Sequence, residues 1–336
     1  WFGADATFRL AATVCNAGWP LHAVDTLPRM TVNPSRKHLV LLGAGPAHMH
    51  LMARLARRPQ PALRVTLVTP STHHVDAATV PRFVAGLGTL DDCTVALEAL
   101  TEKAGVRWLR RNALDLEPKS RVLLMDDGTE MPFDWLSIDI EPVLPRDRIQ
   151  LTMPGARENA LFVRPMGAFC NLWPRVTGLG ANGAISVGVI CDGTPDSQDL
   201  GMALAMAVRR RLPAAAVTLI TGGTLVAASR SPAIQACLGE ALRARRITVL
   251  TDHATHVERG DVYLSCGAHL ACDVPVIAFA GQLPAWLGRC GLAMDDHGGI
   301  ATDLRGRSTS HPSIFAAGKG PAAARHLAAS LLATAS

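Results

Sequence analysis

HLVLLGAGPAHMHLMARLARR, residues 38–58, decides the fold. His38–Leu42 has the length and apolar character of a buried strand. Gly43-Ala44-Gly45 breaks that run. From Pro46 to Arg58, Met49, Met52, Leu55 and Ala56 recur at helical spacing. Arg64–Thr69 (RVTLVT) reads as the next strand, closed by Pro70. Strand, glycine turn, helix and strand make a β-α-β unit, for which a right-handed crossover is expected.

Working outward, the spacing predicts a helix over Val95–Ala104, capped by Thr94. Val106–Leu116 and Arg121–Met125 read as antiparallel strands around Glu117-Pro118-Lys119, with a turn at Asp126-Asp127-Gly128. Phe133–Ile138 is another buried strand. The theme then repeats: strand Ala184–Cys191, helix Gln198–Leu212, strand Val217–Thr221, helix Pro232–Arg245 and strand Ile247–Leu250. A hairpin at Val257–Glu258 and Val262–Ser265 and a strand at Val274–Ala278 follow. VTLIT (217–221) nearly copies VTLVT (65–69) and holds the same place in its unit. The expected fold is α/β, with two Rossmann-like dinucleotide-binding domains, the second inserted in the first. The first takes 37–165 and 282–336, with Ser313–Ala317 and the helix Ala322–Thr334 returning to it. The second takes 166–281. Residues 1–36 show no clean period and no signal peptide, and Met30 would suit a natural start. They are expected to be a poorly ordered extension.

Of 336 residues, 49% are hydrophobic and 18% charged, and Lys+Arg less Asp+Glu is 33 − 28 = +5. That balance excludes a disordered, collagen-like or coiled-coil chain. The mean hydropathy of +0.20 raises the question of a membrane protein. No window holds 18 consecutive apolar residues, so no transmembrane segment is expected. The basic runs Arg57-Arg58, Arg110-Arg111 and Arg209-Arg210-Arg211 end apolar segments and read as solvated termini, not as a nucleic-acid surface. The eight cysteines include no C-x-x-C pair and read as reduced thiols. His48/His50 and His73/His74 lack the i, i+4 spacing of a helical ligand pair, so no metal site is expected.

The turn itself suggests chemistry. Gly43 permits a tight bend, and Gly45 lets the backbone approach a pyrophosphate on the helix N-terminus. The usual third glycine is His48, so helix–strand packing must be looser or differently filled. Thr69 stands where an acid would hold a ribose. Gly43, Ala44, Gly45, Pro46, Ala47, His48 and Thr69 are therefore the candidate dinucleotide site, with a plain structural turn as the alternative. The matching turn of the second unit, Cys191-Asp192-Gly193-Thr194-Pro195-Asp196-Ser197, keeps only Gly193 and gains two carboxylates, which would repel a pyrophosphate. It reads as a residual nicotinamide-dinucleotide site or a loop that has lost its ligand.

Several segments together resemble a known family: KHLVLLGAGPAHMHLM (37–52), RVTLVTPS (64–71), FDWLSIDI (133–140), PGARENALFVRPMGAF (154–169), VTLITGG (217–223), LPAWLGRCGLAMDDHGGIATD (283–303) and RSTSHPSIFAAGKG (307–320). They resemble the two-dinucleotide-domain flavoproteins of the pyridine nucleotide-disulfide oxidoreductase superfamily. The nearest branch is the type II NADH dehydrogenase-like proteins, including the module fused to some selenide, water dikinases. The resemblance spans about 37–330. It implies FAD on Gly43–Ala47, with its ribityl chain passing Gly318 and Lys319. It also implies NAD(P)H on the second domain as hydride donor, and a quinone or similar acceptor. Pro81–Gly86 matches where the family lines the flavin and acceptor side.

The departures are specific. The family's A-A-G-D is Ala316-Ala317-Gly318-Lys319 here, and a lysine cannot accept the ribityl hydrogen bond. Glu141-Pro142 follows Ile140 where the family has a glycine. Ala278-Phe279-Ala280-Gly281 replaces alanine-threonine-glycine, and Thr72-His73-His74-Val75-Asp76 replaces an aromatic flavin loop. The absence of C-x-x-x-x-C excludes disulfide reductase chemistry, and the cysteines of sulfide:quinone reductases are not apparent. The family's C-terminal amphipathic membrane attachment is not seen before Ser336. The expectation is thus an FAD-dependent NAD(P)H oxidoreductase, cytoplasmic or peripheral to the inner face of the membrane. It would act on small-molecule donors and acceptors, without nucleic acid, and a homodimer is allowed. The alternative is a catalytically degenerate relative kept for nucleotide or partner binding, which Lys319, Asp196 and the missing ribose acid favour.

Overall fold

The structure, a computed structural model, describes residues 36–318 and 321–335. The extension expected over 1–36 lies outside them except for Arg36, and so does Lys319.

The first apolar run is strand β1 (Lys37–Leu42), buried from His38 onward. Both its faces are covered, which is why it reads as a continuous hydrophobic run rather than an alternation. Leu39 and Leu41 pack with Leu51, Met52 and Leu55 of helix α1 (Pro46–Arg57). Val40 and Leu42 face the other way, towards Leu123, Phe133 and Leu136. Full burial of each Leu or Met contributes about 1.5–3 kcal/mol, so α1 is held by its apolar face more than by helix propensity.

Strand β2 (Leu63–Val68) lies parallel to β1 on one side, and β3 (Arg107–Leu109) lies beyond it. On the other side are β4 (Trp135–Ile138) and then β10 (Ile314–Ala316), again parallel. The second sheet repeats this plan. Its centre is β6 (Ser186–Ile190), flanked on one side by β7 (Ala216–Ile220) and β8 (Ile247–Leu250). On the other side stand β9 (Val274–Ile277) and β5 (Leu161–Phe162). The sheet orders are β10-β4-β1-β2-β3 and β5-β9-β6-β7-β8. The repeat VTLVT/VTLIT therefore marks equivalent strands, β2 and β7, and the doubly wound α/β class is the one expected. Leu161–Phe162 joins the second sheet, a few residues ahead of the boundary expected after 165.

Three local expectations are corrected, and one helix is added. Thr94 does not cap the helix over 95–104. Thr94–Ala96 pairs with His73–Val75 as an antiparallel edge, and helix α2 (Leu97–Ala104) begins only after it. The β-branched pair Thr94-Val95 prefers that extended pairing. The strand expected over Val106–Leu116 is two strands. Arg107–Leu109 stays in the parallel sheet, while Ala113–Glu117 turns away to pair with Val122–Met125. Helix α3 (Met166–Asn182) was not legible, because Gly167, Gly178, Gly180 and an internal Pro174 dilute its signal. Helix α4 (Pro195–Arg211) starts three residues ahead of the expected Gln198, with Thr194 as its cap, accepting from Ser197 N–H at 3.4 Å. Helices α5 (Pro232–Ala244) and α6 (Pro321–Ala335) complete the layers, and α6 packs beside α1 through Leu327 and Leu331.

Candidate dinucleotide-binding site

In each sheet the chain winds outward in opposite directions from its central strand, which opens a crevice at the carboxyl ends of the strands. In the first sheet it lies between β1 and β4. Three backbone bonds gather the loops there. Gly43 N–H donates to Val68 O at 2.9 Å, Gly45 N–H to Asp139 O at 2.9 Å, and Ala317 N–H to Ile138 O at 3.0 Å. Gly43 has φ +89°, and a Cβ on it would come within 2.7 Å of Ile140 Cα. A side chain is excluded there on both counts.

Helix α1 begins without a side-chain cap of its own, since its flanking residue is Gly45. Asp139, the first residue after β4, supplies one from across the crevice. Its Oδ2 accepts from Ala47 N–H at 2.7 Å and lies 3.4 Å from His48 N. A Cβ on Gly45 would overlap the Asp139 carboxylate. A negative group on the first-turn N–H groups is the arrangement that a helix N-terminus favours.

His48 fills the place of the third glycine. It is fully buried. Nδ1 lies 2.7 Å from Gly43 O and Nε2 lies 2.8 Å from Ser137 Oγ. A carbonyl only accepts, so Nδ1 carries the proton and Nε2 accepts from the serine hydroxyl. Burial pushes its pKa down, opposed by the Asp139 charge and the Gly43 bond. Packing at this point is thus differently filled rather than looser. The imidazole holds the glycine turn onto β4.

Ala44 is half-buried, Pro46 exposed and Ala47 buried at the start of α1. Thr69 is buried one residue past Val68, its hydroxyl accepting from Ser71 N–H at 3.3 Å and its carbonyl from Trp108 Nε1 at 3.1 Å. Gly318 is exposed at the same strand edge, just after Ala317. The structure therefore brings Gly43–His48 and Gly318 to one crevice, with Thr69 after the neighbouring strand β2. Gly193 belongs to the other sheet. Pro81–Gly86 packs near the end of α4, where Pro81, Arg82, Met206 and Arg210 line a groove of about 590 Å³ away from the turn.

In the second sheet, residues of the crevice itself tie its loops together. Asp192, just after β6, accepts from Thr194 N–H at 3.0 Å through Oδ1 and from Ala280 N–H at 2.9 Å through Oδ2. Gly193 has φ +87°, and a Cβ there would overlap Gly222 O. Asp192 is thus a tie between the two loops flanking the crevice.

Asp139 and Glu141 were missed as site residues. Glu141 Oε1 accepts from Met166 N–H at 3.0 Å and stands 3.9 Å from Arg164 Nη1. The available signal was an acid directly after the buried run Trp135–Ile138. All seven described cysteines are free, and burial pushes Cys170 and Cys191 up to about 12 and Cys272 to about 11. Such thiols are poor nucleophiles. Among the described residues no cluster of three or more metal-ligating side chains occurs, and no helix is long and apolar enough to cross a membrane.

The donor set suits an anion. The first-turn N–H groups of α1 already hold a carboxylate. Gly43 faces the backbone of Asp139 and Ile140, and Gly45 faces the Asp139 side chain. A diphosphate could reach these N–H groups only if the Asp139 side chain turned away from them.

Comparisons agree with this fold. Residues 199–324 match the family described as pyridine nucleotide-disulphide oxidoreductase. A sulfide:quinone oxidoreductase from the hyperthermophilic bacterium Aquifex aeolicus superposes with a TM-score of 0.69 at 16% identity, over 89% of this chain and 77% of that one. An NAD-dependent persulfide reductase from A. fulgidus gives 0.71 at 17%, over 88% and 58%. NDH2 from Plasmodium falciparum, in complex with NADH, gives 0.65 at 15%, over 84% and 64%. The chain spans less than two thirds of the latter two. At these identities the likeness is one of fold. No curated protein matches. The superfamily resemblance read from the sequence is borne out over residues 199–324, and the fold is the two-sheet α/β fold shared with these solved structures.

Proposed function

We propose that this chain is an FAD-dependent oxidoreductase that takes electrons from NAD(P)H and passes them to a quinone or similar small acceptor. The observation that carries the reading is the α1 turn. A left-handed Gly43, a Cβ-intolerant Gly45 and first-turn N–H groups already engaged by an anion lie together at the switch point of a doubly wound sheet. Gly43–Ala47 would hold the cofactor's pyrophosphate, and Gly318 would lie beside its ribityl chain. The flavin, when bound, would supply two-electron acceptance and delivery. His48 keeps the turn in register by its bonds to Gly43 and Ser137. The family match over 199–324 supports the nicotinamide nucleotide as donor. The tightened turn at Gly193 is the weaker half of the argument.

The test is spectroscopic. The purified protein, or the protein incubated with FAD, should show bound-flavin absorbance and oxidise NADH with a quinone or dye acceptor. Gly45→Val should abolish flavin uptake, because the added side chain occupies the cradle. A colourless protein that takes up no FAD refutes the proposal. Oxidation unaltered by Gly45→Val would place the activity elsewhere.

A second reading, a non-catalytic relative that retains the fold for binding, is favoured by one observation: Asp192 ties together the two loops of the second crevice. Flavin uptake without NADH oxidation would support it.

A further inference from the structure

We infer that Asp139 is a tethered competitor for the flavin pyrophosphate, so that cofactor uptake requires its carboxylate to leave the N-terminus of α1. The inference rests on the proposed FAD site and deepens it. The geometry is direct. Ala47 N–H, a first-turn donor that a bound pyrophosphate would use, is spent on Asp139 Oδ2 at 2.7 Å. The His48 donor points to the same oxygen at 3.4 Å. Pro46 has no N–H to offer. Gly45 N–H donates to the Asp139 carbonyl at 2.9 Å, so this one residue holds the turn by backbone and side chain together. No cation forms an ion pair with the carboxylate among the described residues.

Two anions cannot share one set of donors at contact distance without strong repulsion. Bound FAD and the capped form of Asp139 are therefore mutually exclusive. The exchange is a two-state one: the carboxylate stabilises the empty protein, and the cofactor must displace it. A competing conformer lowers apparent affinity in proportion to its population. The backbone tie of Gly45 to the Asp139 carbonyl does not depend on the side chain, so the turn keeps its shape when the carboxylate is removed.

The experiment uses the full chain as wild type, Asp139→Ala and Asp139→Asn. FAD binding is followed by quenching of flavin fluorescence, inorganic pyrophosphate binding by calorimetry, and the stability of the ligand-free protein by thermal denaturation. Asp139→Ala should bind FAD about ten-fold more tightly, which corresponds to about 1.4 kcal/mol. Its ligand-free form should melt lower. Asp139→Asn keeps the shape but not the charge, and it should fall between the two in both readouts. Equal FAD affinity in wild type and Asp139→Ala overturns the inference and leaves the proposed function standing. If no form binds FAD but Asp139→Ala gains pyrophosphate binding, the competitor role holds and the flavin reading fails. No gain for either probe overturns the inference.

Discussion

His48→Ala tests the packing of the glycine turn. The imidazole is fully buried, and its two nitrogens serve Gly43 O at 2.7 Å and Ser137 Oγ at 2.8 Å. Truncation leaves both partners buried without it, each at about 1–3 kcal/mol. The emptied volume adds a cavity cost. A loss of about 4 kcal/mol is the central expectation. A chain of this size loses about 2–4 °C per kcal/mol, so the melting temperature should fall by about 8–16 °C. The same residue sets a pH dependence. Its folded pKa lies below the usual histidine value because burial disfavours the charged form. The unfolded chain therefore binds the extra proton first. The stabilisation is complete above about pH 6.5 and is lost as pH falls from there towards the folded value. His38 behaves alike, lowered chiefly by burial, with Nδ1 donating to Pro132 O at 2.9 Å. Each contributes a slope of up to about 1.4 kcal/mol per pH unit. Urea denaturation of wild type and His48→Ala at pH 7.5, 6.5 and 5.5 measures both effects. The variant should be less stable throughout, and its stability should fall less steeply with acid. A melting temperature within about 2 °C of wild type, or an unchanged acid slope, refutes the reasoning.

Three further outcomes follow from local geometry. Gly193→Ala should destabilise by about 2 kcal/mol or more in a denaturant titration, because φ is +87° and the new Cβ overlaps Gly222 O. A neutral result would mean that the Gly193 turn does not pack on Gly222 as described. Among the seven described thiols, exposed Cys237 and Cys266 should react rapidly with a disulfide reagent, while buried Cys170, Cys191 and Cys272 react only after unfolding. Mass spectrometry of the labelled peptides checks the order. Arg230→Ala should cost less than about 1 kcal/mol, although Nη2 lies 2.6 Å from Asp199 Oδ2, because both side chains are about half exposed. A larger loss would show that this pair carries structure.

The sequence by itself determined the class of this protein. A buried strand, a glycine turn, an amphipathic helix and a second strand admit few architectures. The near-copy of VTLVT as VTLIT announced the second sheet. These are local signals, carried by periodicity and by residues whose backbone freedom is special. Helix α3 escaped because glycines and Pro174 hide its period, and Thr94 was misplaced because its partner strand lies some twenty residues back in the chain. The state of the site was decided only by tertiary structure. His48 looked like a missing glycine and proved to be a buried hydrogen-bonded linker. Asp139, which drew no reading of its own, proved to cap a helix 92 residues away in sequence. Neither role has a local signature, since each depends on which strand ends meet at the crevice. A carboxylate's chemistry is written in its residue type, but which amide hydrogens it meets is settled by the parallel pairing of β1 with β4.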